Sequence, residues 1–224
     1  MAMVRWAPTL LLAGCTTLST LDGARTLSPG ATQIAMAASL QEGANPVSAT
    51  LIPLPQVELA ARHGIAEDVD LGFRFYLLGM GADVRYRFLE LHPLHVAVQP
   101  GLFTFALPLG GFQGSVEMRA PVTAEWELTD RWSVAAGTRV FLREQWNTVR
   151  LDGESGVASR LDSFLGGAGR FEYHVPKFTL GASVDVYGQP ARSGGLAWSG
   201  GLDVQFRLSS ARERNERWKR EHPE

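Results

Sequence analysis

The sequence predicts an all-β chain folded as a closed antiparallel up-and-down β-barrel of about ten strands. Three observations predict it. Apolar and polar residues alternate with period two from Thr32 to Leu208, the alternating stretches run to about ten residues each, and tight turns alternate with mostly longer connections rich in Gly, Ser and Asn. No heptad, internal repeat or helix-period stretch interrupts this before the last 14 residues.

Strands are expected at 32–40, 54–63, 69–77, 82–89, 95–105, 114–128, 132–145, 159–174, 178–187 and 195–208. Ala66-Glu67-Asp68, His92-Pro93-Leu94, Thr129-Asp130-Arg131 and Val175-Pro176-Lys177 read as tight turns on one rim. Segments 41–53, 78–81, 106–113, 146–158 and 188–194 read as loops on the other. An even strand count sends both termini to the short-turn rim. Pro100 and Pro121 fall inside expected strands, where a closed barrel has no free edge to excuse a missing donor, so bulges or shifted boundaries are expected there.

Charge is sorted within the strands. The polar face collects Glu58, Arg62, Asp70, Arg74, Asp83, Arg85, Arg87, Glu117, Arg119, Glu125, Glu127, Arg139, Arg143, Asp162, Arg170, Glu172, Asp185, Asp203 and Arg207, and the cores of the opposite faces are apolar. These nine arginines and ten carboxylates nearly balance, as expected of an interior cross-braced by ion pairs. Alternation alone does not tell a transmembrane barrel from a soluble one turned inside out. Three features favour lipid on the apolar face. The polar face interleaves its charges with small residues such as Gly72, Gly101, Gly137, Gly166, Gly181 and Gly201, and it lacks lysine, the chain holding only Lys177 and Lys219. Aromatics of the apolar face, Phe88, Trp126, Trp132, Tyr173, Phe178 and Phe206, gather near the tight-turn rim as an interfacial girdle.

The N-terminus carries one early cation, Arg5, a short apolar run through Leu10-Leu11-Leu12, and then Leu12-Ala13-Gly14-Cys15. The run is far below the ~20 residues of a spanning helix and fits a signal-peptide core. The four residues ending in Cys15 resemble the lipobox of bacterial lipoproteins. That resemblance implies cleavage before Cys15 and acylation of it; Thr16, in place of Asp, permits transfer to the outer membrane. The division expected is therefore a signal at 1–14, a lipid-anchored tether at 15–31, a transmembrane barrel at 32–208 and a charged periplasmic tail at 209–224. Residues 32–208 resemble the small outer-membrane β-barrel superfamily in alternation, topology and girdle; the tail beyond Leu208 departs from it, because such barrels usually end on an aromatic strand. The resemblance implies a Gram-negative cell envelope with both termini periplasmic.

A formal charge of -2 gives no basic field for nucleic acid, and one cysteine excludes an internal disulfide or a multi-thiolate metal site. No catalytic, cofactor-binding or metal residue is assigned. His63, His92, His95 and His174 map to the periplasmic rim and His222 to the tail, whereas the outer-membrane proteases and lipases, as families, carry histidine at the outer rim. His92 and His95 form a weak metal pair, and Glu125 and Glu127 read as partners of lumen arginines. Ten strands sit near the size at which side chains fill a barrel. The first reading is thus a structural or surface-interaction protein, with outer-membrane lipid around it and loops 41–53 and 146–158 open to a surface ligand; a partner protein is not named. The alternatives are a narrow or gated pore for small solutes and, last, a surface enzyme.

Overall fold

A computed structural model describes residues 23–42, 54–76, 79–107, 113–151, 154–188 and 196–208. It contains β1 (Thr32–Glu42), β2 (Leu54–Ala66), β3 (Val69–Tyr76), β4 (Gly79–Leu91), β5 (Leu94–Val98), β6 (Gly101–Leu107), β7 (Gln113–Arg119), β8 (Val122–Thr129), β9 (Trp132–Leu151), β10 (Glu154–Val175), β11 (Phe178–Gly188) and β12 (Leu196–Leu208). β5 with β6, and β7 with β8, are two continuous staves, each broken once. The breaks are at Gln99-Pro100 and Ala120-Pro121, so the expected irregularity falls on both prolines. They lie side by side, and the backbone closes over them through Gln99 N–H to Pro121 O and Val84 N–H to Pro100 O, both 2.9 Å. A residue that cannot donate is thus met by a second one at the same level of the wall.

The twelve segments make ten staves, each antiparallel to its neighbours, and β1 pairs with β12 from Thr32↔Leu208 to close the barrel. One circuit of the wall leaves β12 at Leu208 and returns to it at Leu196, a displacement of twelve residues. Such a stagger goes with strands tilted by roughly 35–45°. The turns at 67–68, 92–93, 130–131 and 176–177 lie on one rim, called here the turn rim, where Thr32 and Leu208 also sit. Just inside it β2, β4 and β8 each shift register by one residue, at Ile65, Phe88 and Leu128.

Two expectations need correction. Segment 146–158 was expected as a loop, but β9 and β10 stay paired from Trp132↔Tyr173 to Leu151↔Glu154. Among the described residues the hairpin outruns its neighbours, since there β10 meets β11 from Leu165 and β7 meets β9 as far as Asn147. Its side chains from Gly156 to Leu161 are all exposed, so that stretch has no buried face for alternation to mark. Similarly β4 begins at Gly79 instead of 82. Of the expected loop 41–53, Gln41 and Glu42 still belong to β1, and 43–53 lie outside the described residues.

Residues 23–31, the described part of the segment expected as a tether, pack into the mouth of the barrel at the turn rim, burying Ala24, Leu27 and Ala31. Gly30, at a φ of 77°, reverses the chain into β1 in a conformation that side chains avoid. Gly30 N–H reaches Gly64 O at 2.8 Å and Gly64 N–H reaches Ala31 O at 2.9 Å. A Cβ on Gly64 would run into the carbonyl of Ser28. Strand β2 therefore carries glycine where this segment crosses it.

The molecule is apolar outside and charged inside. Ile34, Met36, Leu59, Phe73, Phe75, Leu142, Leu165, Val184 and Leu202 are among the large apolar side chains exposed on the outer wall, while Glu58, Asp70 and Asp185 are 0% exposed. No helix among the described residues is long and apolar enough to cross a membrane.

Candidate functional site

The nineteen charged residues predicted for one face all project to the lumen side. Fifteen are buried; Arg87, Arg119 and Glu127 are half-buried, and Arg207 is exposed at the turn rim. The register brings them into compact groups. In the first, Arg62 donates to Asp70 at 2.6 Å and to Asp83 at 2.5 Å, Arg85 donates to Asp70 at 2.6 Å, and Arg74 lies 3.5 Å from Asp83. In the second, Glu117 accepts from Arg119 and Arg143, both at 2.6 Å. In the third, Arg170 reaches across to Asp203 with both terminal nitrogens, at 2.7 and 2.8 Å, and turns its Nε to Glu172 at 2.7 Å. Arg139 spans to Asp185 at 3.2 Å. Several of these pairs skip a stave, so they brace the wall across its curvature. The forked guanidinium suits this, since one side chain satisfies two carboxylates on different strands.

The outlying members sit near the rims. Arg87 pairs with Asp68 and Glu90, both at 2.8 Å, and Asp162 with Arg160 at 2.6 Å. Arg207 donates to Ser28 Oγ at 3.0 Å. Glu58 is fully buried within the lumen on β2.

Towards the far end the lumen changes character, a layer that the sequence reading missed. Tyr76, Phe103, Phe105, Phe141, Phe164 and Tyr187 are buried there. Phe141 stacks on Phe164 at 4.3 Å, the Arg119 guanidinium lies 4.2 Å from the Phe103 centroid, and that of Arg143 lies 5.1 Å from Phe164. Runs such as Leu102-Phe103-Thr104-Phe105 and Val140-Phe141-Leu142 are apolar on both faces, so alternation did not mark their inward side. A void of about 30 Å³ remains between Arg74, Phe103, Arg119, Arg139 and Tyr187, close to the space of a single water.

The turn-rim mouth holds the densest chemistry. β8 presents Glu125 and Glu127, β9 presents Ser133, β10 presents Glu172 and His174, and β5 presents His95. Into this group the N-terminal segment inserts Arg25. Its Nε lies 2.7 Å from Glu125, its Nη1 3.1 Å from Glu127 and its Nη2 3.8 Å from Glu172, while Nη2 also contacts His174 Nε2. Around it, Ala24 N–H donates to Glu125 at 2.7 Å, Leu27 N–H donates to Asp70 at 3.1 Å, and Arg85 donates to Gly23 O at 3.0 Å. The sequence reading gave Glu125 and Glu127 to lumen arginines of the strands. Their partner is Arg25, about one hundred residues away in a segment without periodicity, and no local signal announces it. Beside the segment a cavity of about 530 Å³ opens at the rim, lined by Arg25, Arg85, Glu125, Glu172, His174 and Arg207 among others.

The other sequence candidates are placed as follows. His92, in its turn, and buried His95 both face Glu127, each at 3.3 Å. His63 contacts Thr32 Oγ1 at 2.9 Å. Phe88, Trp126, Trp132 and Phe206 are exposed on the outer wall near the turn rim, with Tyr173 and Phe178 half-buried beside them. Trp132 packs on Tyr173 at 4.3 Å and on Phe171 at 4.9 Å. Cys15, His222 and the tail 209–224 lie outside the described residues.

No family model matches the chain. No curated protein matches it either. Among solved structures it is similar to Ail, the attachment invasion locus protein of Yersinia pestis, at 13% identity and a TM-score of 0.41, covering 80% of this chain and 99% of that one. It is similar to the KdgM porin in complex with disordered oligogalacturonate, at 12% identity and a TM-score of 0.40, covering 79% and 99%. It is also similar to the outer membrane protease OmpT from Escherichia coli, at 6% identity and a TM-score of 0.46, covering 83% and 100%. These likenesses are of fold alone.

Proposed function

We propose that the chain is a bacterial outer-membrane barrel with a structural or surface-interaction role, its lumen braced shut, its N-terminal segment lipid-anchored through Cys15. One observation carries the membrane reading: the outer wall is apolar while buried charge fills the inside, the reverse of a soluble protein. Arg or Lys facing the bilayer midplane costs about 2–4 kcal/mol, so charges are driven inward. The aromatics Phe88, Trp126, Trp132, Tyr173, Phe178 and Phe206 fit the level of a headgroup interface on the turn-rim side, which would then be periplasmic. The β9–β10 hairpin would stand at the cell surface, where its exposed Val157 and Leu161 are available to a ligand.

The closed-lumen reading rests on the groups around Asp70, Glu117 and Arg170 and on the aromatic layer above them. The cavity at the turn rim favours the second reading, a narrow or gated pore whose mouth the segment 23–31 occupies. The two part in planar bilayers. Protein shown to be folded by heat-modifiable migration should give no steady current; a stable unitary conductance would replace the first reading with the second. Radiolabelled palmitate should label wild type and not Cys15→Ser, and equal labelling would remove the anchor.

A further inference from the structure

The mouth cluster differs from the other charged groups in its balance. Asp70 and Asp83 meet Arg62, Arg74 and Arg85, and Glu117 meets two arginines. At the mouth three carboxylates, Glu125, Glu127 and Glu172, gather with the imidazoles of His92, His95 and His174 around the guanidinium of Arg25, Glu172 being shared with Arg170. Glu125, Glu172 and His174 each offer one ligand atom, all within 4.8 Å of one another. A tetrahedral zinc site, with bonds of ~2.0–2.1 Å, asks for ligand atoms ~3.4 Å apart, so closing by up to about 1.4 Å would suffice once the guanidinium leaves.

The imidazole is already set for this. Arg25 Nη2 contacts His174 Nε2 and lies 3.4 Å from Nδ1, Ser133 Oγ lies 2.9 Å from Nε2 and Thr179 Oγ1 3.0 Å from Nδ1, so the tautomer that accepts from Arg25 at Nε2 has Thr179 within reach of its Nδ1–H. A ligating histidine is held in the same way, its far N–H on an oxygen and its lone pair towards the ion. A second residue points the same way. His95 is 6% exposed, neither of its ring nitrogens makes a hydrogen bond of good geometry, and its Nε2 is turned towards Glu127 at 3.3 Å. The adjoining cavity of about 530 Å³ gives an ion a path from the rim.

We propose that Glu125, Glu172 and His174 form a site for a divalent transition-metal ion such as zinc, that Arg25 is the resident cation which the ion must displace, and that metal binding therefore unseats the segment 23–31 from the mouth. Carboxylate and neutral imidazole are the donor set that zinc takes, with three protein ligands leaving a fourth position to water or to Glu127. Metal and Arg25 exclude each other because both need the same lone pairs.

The test is titration calorimetry with zinc on the full folded chain in detergent, with heat-modifiable migration certifying each variant. Arg25→Ala should bind one zinc at least about tenfold more tightly than wild type, and Arg25→Ala with His174→Gln should lose that binding. Absence of binding in Arg25→Ala, or binding there no tighter than in wild type, overturns the proposal. So does binding that survives His174→Gln, which would place zinc on exposed histidines such as His63 or His92. Should the double variant not fold, Arg25→Ala with Glu125→Gln takes its place under the same outcomes.

Discussion

Replacing Glu117 by glutamine removes one negative charge and little volume. Its side chain is 1% exposed; one oxygen accepts from Arg119 Nη2 at 2.6 Å and Nε at 3.0 Å, the other from Arg143 Nε at 2.6 Å. Breaking a buried pair by removing one partner costs about 3–5 kcal/mol, because the remaining charge stays buried. Here two guanidiniums would be left together. The amide oxygen keeps one acceptor, and the rings of Phe103 and Phe164 lie against the two cations, which returns ~1 kcal/mol. The net expectation is a loss of about 2–4 kcal/mol. The assay is reversible urea unfolding in lipid vesicles, followed by tryptophan emission and far-ultraviolet circular dichroism, comparing midpoints at constant slope. A further Arg143→Met should cost less in the Glu117→Gln background than in wild type, since its partner is already gone. A loss below about 1 kcal/mol, the range of exposed ion pairs, would refute the reasoning: water would then reach Glu117, and the lumen would be wet.

Gly72→Ala should destabilise by about 1–3 kcal/mol, because its new Cβ would meet Arg62 Nη2 at 2.5 Å and Asp83 Oδ1 at 2.7 Å, whereas the nearest atom to a Cβ on Gly167 is 3.7 Å away and Gly167→Ala should stay within about 0.5 kcal/mol in the same unfolding assay. Leu202→Arg, on the outer wall, should cost about 2–4 kcal/mol in bilayers; an unchanged midpoint would count against lipid at that position. Leu27→Asp sets a second carboxylate beside Asp70, which now accepts from the Leu27 N–H, and should free the segment so that trypsin cleaves after Arg25 faster than in wild type. Equal cleavage rates would show that Leu27 does not hold the segment in the mouth.

The wall was legible in the sequence because a closed barrel repeats one demand at every stave: inward and outward residues must differ, and β3, with Asp70, Gly72, Arg74 and Tyr76 against Leu71, Phe73 and Phe75, shows it directly. The turns were legible for a similarly local reason, each being two residues such as Pro176-Lys177 between strands that must reverse at once. Where the demand lapses, so does the signal. On the outer part of β10, Gly156 to Leu161 are exposed on both faces, so that stretch reads as loop. The aromatic layer at Phe141 and Phe164 lies where both faces are apolar, the outer one exposed and the inner one packed.

The mouth was illegible for a different reason. Residues 23–31 carry no period because they form no strand there; they are held by Glu125 and Asp70, by Arg85 and by the backbone of Gly64, each reached from a distant part of the chain. Arg25 looks in sequence like any solvated cation. Its role comes from a surplus of carboxylates that two staves, those of β8 and β10, bring to one point.

The account depends on the outer wall touching hydrocarbon. Nitroxide labels placed singly at Leu180, Val184 and Leu202, in a Cys15→Ser background that removes the lone native thiol, would report it directly in lipid vesicles. All three positions are exposed on the outer wall. They should collide strongly with molecular oxygen, which concentrates in lipid, and weakly with a water-soluble nickel chelate. Nickel collisions dominating at all three would place that surface in water and contradict the account.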